Sequence, residues 1–185
     1  MNFRTHITRI TAVTALAALA LGVAAPAMAE RIGVSDPADV GGASLSDIRR
    51  VTVNHGLEQI FVKVAFTELK PKSEAGPSSL AIFLDTNANK KGPEFLLGTG
   101  LQRGTDYQLT RVRDWKTVGQ PLTCDHSLRL DFVANVAKLH AARSCIGTPD
   151  EIRVGVKMTD LYDGSHPVHD WLGKPRSFTP WVVSS

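Results

Sequence analysis

Two short stretches of this chain gather side chains that bind metal ions or move protons. The first is Asp85-Thr86-Asn87-Ala88-Asn89-Lys90-Lys91-Gly92-Pro93-Glu94, which follows the apolar run Leu80 to Leu84. A hard cation wants several oxygens converging from a short loop. Asp85, Asn87 and Asn89 alternate as the start of a calcium loop does, and Glu94 offers a further oxygen. The pattern departs from an EF-hand: Lys90 stands where the loop glycine belongs, no acidic residue occupies the twelfth position, and two lysines sit beside the ion. The simpler reading is an Asx-rich turn in which Asp and Asn side chains bond their own backbone.

The second stretch, Asp160-Leu161-Tyr162-Asp163-Gly164-Ser165-His166-Pro167-Val168-His169-Asp170-Trp171, collects two histidines and three carboxylates. Imidazole and carboxylate suit zinc or another transition metal, so His166, His169 and Asp170 are the expected ligands of such a centre. A metal-dependent secreted hydrolase is the catalytic reading that follows. Against it, Pro167 separates the histidines in a turn-rich stretch, and the carboxylates could instead cap turns or pair with Arg153 or Lys157.

Other catalytic signatures are missing from the sequence: there is no Gly-x-Ser-x-Gly elbow, no His-Glu-x-x-His, no phosphate-binding glycine loop and no dinucleotide fingerprint. Ser165 beside His166 is an adjacency and not a triad. His55, His126 and His140 fall inside expected strands, where packing explains them better than ligation. Trp115, Trp171, Trp181, Tyr107 and Tyr162 fall in or near loops, where rings either stack on a sugar or peptide or cover the ends of a core.

The elements that must position these residues read as β. Ile60, Val62, Val64 and Phe66 alternate with Phe61, Lys63 and Ala65, and Ile152, Val154, Val156 and Met158 alternate with Arg153, Gly155 and Lys157. Leu80 to Leu84 is apolar on both faces, as a central strand is. Further strands are expected at Ile48 to His55, Glu94 to Thr99, Tyr107 to Val112, Leu122 to Phe132 and Val136 to Arg143, separated by Gly/Pro/Asn/Asp clusters. Eight or so strands without a helical period predict an all-β, single-domain antiparallel sandwich or jelly roll.

Ala134-Asn135 lies midway between Cys124 and Cys145. A two-residue turn there sets Phe132 opposite Ala137, Leu130 opposite Leu139, Leu128 opposite Ala141 and Asp131 opposite Lys138. It also sets Cys124 opposite Cys145 at a non-hydrogen-bonded position, where a disulfide closes readily. Ala134 is not a favoured residue for positive φ, so a longer loop would shift this register.

The first 29 residues read as an export signal: Arg4 and Arg9 form a basic n-region, Ile10 to Ala25 an apolar h-region, and Ala27-Met28-Ala29 a small-x-small cleavage site. Its removal leaves residues 30–185 as one domain, of a size that buries roughly 70% of its unfolded surface. The net charge of +3 falls to +1, with 19 Lys and Arg against 18 Asp and Glu. No basic block follows, so nucleic acid and anionic membrane are poorly supported as partners, and no integral membrane segment is expected after signal removal. Export also favours oxidation of the two cysteines.

Phe83-Leu84-Asp85-Thr86-Asn87, Gly92-Pro93-Glu94-Phe95, Gly104-Thr105-Asp106-Tyr107 and the stretch Asp163 to Trp171 resemble a group of small secreted bacterial proteins of unknown function. The resemblance spans most of residues 30–185. It implies an extracellular bacterial β-sandwich, distantly similar in architecture to DOMON and carbohydrate-binding modules, and carries no catalytic residues. The expected function is therefore a secreted, non-catalytic binding or cell-envelope-associated module for a glycan or protein, with calcium as its one candidate cofactor.

Overall fold

The computed structural model describes residues 30–40, 44–72, 76–161 and 166–185. The expected export signal lies outside these residues, as does most of the stretch between Asp160 and His166.

Alternation of apolar and polar residues gives each strand one face to bury, and two sheets meet over those faces. The strands are β1 (Glu30–Ser35), β2 (Ile48–His55), β3 (Gln59–Phe66), β4 (Ser78–Asp85), β5 (Phe95–Gly100), β6 (Tyr107–Arg113), β7 (Lys116–Val118), β8 (His126–Asp131), β9 (Val136–Ala142), β10 (Glu151–Asp160), β11 (Val168–Trp171) and β12 (Val182–Val183). One antiparallel sheet has the order β1-β2-β3-β9-β8; the other has the order β11-β10-β4-β5-β6-β7, with β12 beside β10. The protein is an all-β sandwich of five and seven strands. Val53, Val62 and Leu139 from the first sheet pack against Ile82, Leu97 and Val154 from the second in one core.

The edge formed by β11 and β12 is interrupted. Both strands follow β10 along the same side, Met158 facing Asp170 and Ile152 facing Val182. Between them the chain swings outward, and the Thr179 hydroxyl stands in for a ladder partner by accepting the Val154 N–H at 3.0 Å. Phe178 settles over Gly155, where a Cβ would lie 3.3 Å from the ring and 3.0 Å from the Ser177 carbonyl oxygen. β12 also meets β1 and β2, so this edge closes one side of the sandwich.

The β8–β9 hairpin corrects the expected register. Leu130 faces Ala137, Leu128 faces Leu139 and Asp131 faces Val136, a slip of two residues that keeps every side chain on its expected face. The cause is a longer connection: the Ala134 N–H donates to Asp131 Oδ1 at 3.0 Å, and Asn135, not Ala134, takes the left-handed φ of 54°. Cys124 and Cys145 are disulfide-bonded with their Cα atoms 5.6 Å apart. They join beyond the end of the ladder, because Cys145 belongs to the 3₁₀ turn Arg143–Ile146 that follows β9.

Candidate functional site

The expected calcium loop is held by its own hydrogen bonds. Asp85 ends β4 with no exposure and receives Arg153 Nε at 2.8 Å and Nη2 at 2.7 Å on one oxygen. Its other oxygen accepts the Asn87 N–H at 3.2 Å, while Asn87 Oδ1 accepts the Asn89 N–H at 3.0 Å, both Asx turns. Glu94 turns back onto Thr86, accepting its N–H at 2.8 Å and its hydroxyl at 3.2 Å. The guanidinium of Arg153 thus occupies the place beside Asp85 where positive charge is wanted.

His166, His169 and Asp170 are not brought to one point. Val168–Trp171 is a strand, and successive side chains on a strand leave by opposite faces. His169 is exposed, with Nδ1 3.1 Å from the Thr159 hydroxyl, and burial together with the nearby Lys157 charge lowers its pKa. Asp170 points the other way and is 2% exposed. His166 is exposed at the entry to the strand.

Asp170 instead meets acids from the other sheet. β1 ends at Ser35, and the connection after it carries Asp36 and Asp39. One carboxylate oxygen from each of Asp36, Asp39 and Asp170 lies within 4.8 Å of the other two, a group that could hold a metal ion. Asp36 is 4% exposed, whereas Asp39 is open to solvent.

Two hydrogen bonds cross between the sheets here. The Ile48 N–H donates to Asp170 Oδ2 at 2.6 Å, and the Gly173 N–H donates to Asp36 Oδ1 at 2.7 Å. Each carboxylate keeps its second oxygen unused: among the described residues nothing hydrogen-bonds Asp36 Oδ2 or Asp170 Oδ1. A buried carboxylate oxygen without a partner is costly. Burial first, then the neighbouring charges of Asp36, Asp39 and Asp47, push the Asp170 pKa up to about 7, against the opposing pull of the Ile48 N–H. Burial raises Asp36 in the same direction.

The donor set is all oxygen, which suits a hard divalent cation and not a thiophilic metal. A cation held by this group would offset the mutual repulsion of the carboxylates. Of these residues the sequence pointed only to Asp170, and for zinc. The signal for Asp36 and Asp39 was slight, an Asp-Pro-Ala-Asp run in a turn.

The tryptophans form a second cluster, on the outer face of the seven-stranded sheet. Phe83 lies 4.9 Å from Trp115 and 5.9 Å from Trp171, ring centre to ring centre, and Trp115 lies 5.4 Å from Phe178. Arg153 sits 4.7 Å from the ring centres of both Phe178 and Trp181. These rings therefore cover the sheet and one another. Comparison with known protein families and with curated proteins returns no match for this chain.

Proposed function

We propose that this protein is an exported, non-catalytic binding module of the cell envelope or its surroundings, whose two sheets are tied at one edge by calcium held on Asp36, Asp39 and Asp170. The observation that carries the reading is the pair of buried, unpartnered oxygens on Asp36 and Asp170, within a group whose oxygens approach to 4.8 Å. Export is supported by the signal-like first 29 residues and by the Cys124–Cys145 bridge. No helix among the described residues is long and apolar enough to cross a membrane.

A structural role for the ion is favoured by its surroundings. Asp36 and Asp170 are buried and spend one oxygen each on backbone amides of the opposite sheet, so the ion would brace the edge of the sandwich. A hydrolytic metal centre needs an open coordination position facing substrate. His169 leaves β11 by the face opposite Asp170 and so adds no imidazole to this group. The Asp85 loop is the weaker calcium candidate because Arg153 already neutralises its buried carboxylate.

Calcium titration followed by thermal melting tests the proposal. At a hundred times its dissociation constant a ligand specific to the folded state adds about 2.7 kcal/mol, roughly 5–10 °C in a domain of this size. A melt indifferent to both calcium and chelator would refute it.

A further inference from the structure

The outer face of the five-stranded sheet concentrates positive charge that the sequence spreads thinly. Arg31 comes from β1, Arg50 from β2, Lys63 from β3, Lys138 from β9 and Arg129 from β8, and all five are exposed. The register sets Lys63 directly opposite Lys138, and Lys138 directly opposite Arg129. Like charges facing across adjacent strands, about 4.8 Å apart, destabilise a sheet. Asp131 is the one carboxylate among the described ladder residues on this face, and it pairs with Lys138 at 3.2 Å. Among the described residues no carboxylate pairs with Arg31, Arg50, Lys63 or Arg129.

Beside this row runs a second one, in which Arg31 faces Asn54, Asn54 faces Phe61 and Phe61 faces His140. Phe61 is 47% exposed, with its ring centre 5.1 Å from that of His140. The two rows border a groove of about 250 Å³, lined by Arg31, Thr52, Asn54, Phe61, Lys63 and Lys138. An exposed ring, an amide and flanking cations in one shallow groove offer stacking, hydrogen bonding and charge to a single ligand.

We infer that this face binds an acidic polysaccharide, with sugar rings lying over Phe61 and Asn54 and carboxylates meeting Arg31, Lys63, Lys138 and Arg129. The arginine forks suit carboxylates, and a polyanion relieves the repulsion along the Lys63-Lys138-Arg129 row. A linear chain of sugars can follow a groove, whereas a flat bilayer surface cannot enter one. The inference rests on the reading of the protein as a binding module and names its ligand class, but it does not depend on the cation site.

The test is titration of the purified protein with oligomeric polygalacturonate in chelator, well below the melting temperature. Phosphatidylglycerol vesicles, duplex DNA and a panel of neutral glycans and peptides serve as competitors. The expected result is polygalacturonate binding that weakens steeply with salt and falls about tenfold in Lys63→Gln, Arg129→Gln and Phe61→Ala, with the two charge variants melting no lower than the natural protein. Vesicles or DNA binding as tightly as polygalacturonate would overturn the inference, as would binding unaffected by Phe61→Ala. Binding of a neutral glycan or peptide alone would overturn it while leaving the module reading intact, and no binding at all would count against both.

Discussion

Asp36 and Asp170, from opposite ends of the chain, each give one carboxylate oxygen to an amide across the gap between the two sheets: Asp36 to Gly173 at 2.7 Å and Asp170 to Ile48 at 2.6 Å. Their second oxygens are buried with no partner among the described residues. The same seam is tied at its other end by His55, whose Nδ1–H donates to the Val182 carbonyl at 2.9 Å. β2 thus meets β11 and β12 through polar links at its two ends, and the end at Ile48 carries excess negative charge. Calcium at that end would convert a destabilising concentration of carboxylates into a clamp.

Stability against pH reports this charge. Burial holds Asp170 at about 7, above the ordinary 3.8 of an aspartate, so the folded chain retains a proton that the unfolded chain loses. The contribution is fully present below about pH 4 and is lost as pH rises through about 7. His55 acts in the opposite sense: burial lowers its pKa below 6.5, so its contribution is present above that value and lost as pH falls through the lowered one. In chelator, the melting temperature of the natural protein should fall relative to that of Asp170→Asn between about pH 4 and about pH 7, and saturating calcium should remove the fall. Parallel melting profiles for the two proteins in chelator would contradict the assignment.

Arg153 and Asp85 form the most buried ion pair among the described residues, and Arg153 also covers Phe178 and Trp181. Arg153→Ala strands a fully buried carboxylate, with an expected cost of about 3–5 kcal/mol in urea unfolding. Adding Asp85→Asn should recover part of that loss, because it removes the stranded charge. A double variant no more stable than Arg153→Ala would show that the lost ring contacts, and not the charge, dominate.

The Cys124–Cys145 bridge spans a sequence separation of 21. Its replacement by two alanines should cost about 3 kcal/mol by the loop-entropy argument, measured by denaturant unfolding. The hairpin should persist, since the β8–β9 ladder ends before either cysteine. Loss of amide protection throughout β8 and β9 would show instead that the bridge defines the hairpin.

Gly155 lets Phe178 lie against β10. Gly155→Ala should destabilise by about 1–3 kcal/mol through overpacking, because the added methyl meets the Ser177 carbonyl as well as the ring. Phe178→Ala in the same background should restore little, since the carbonyl contact belongs to the backbone. Unchanged stability in Gly155→Ala would mean that the 172–181 excursion moves freely.

The strands were legible where alternation was long. Ile48–His55 and the core of Gln59–Phe66 and Glu151–Asp160 follow from period two, and Ser78–Asp85 from its doubly apolar centre. Glu30–Ser35, Lys116–Val118, Val168–Trp171 and Val182–Val183 were not anticipated; they lie at or beside sheet edges, where one side lacks a partner and burial imposes little pattern. The acidic group was hidden because Asp36 and Asp39 follow β1 while Asp170 lies on β11, and only the packing of the two sheets joins them. The basic face was hidden for a related reason: each strand supplies one or two cations, and only pairing brings Lys63, Lys138 and Arg129 into a row.

The most direct measurement is calcium binding by titration calorimetry to chelator-stripped protein, comparing the natural chain with Asp36→Asn, Asp170→Asn and the pair Asn87→Ala/Asn89→Ala. A single calcium site is expected in the natural chain and in the asparagine-loop variant, and its loss in both aspartate variants. Calcium that survives Asp36→Asn and Asp170→Asn but disappears with Asn87 and Asn89 would place the ion at the Asp85 loop, and no calcium binding at all would remove the ion from the account.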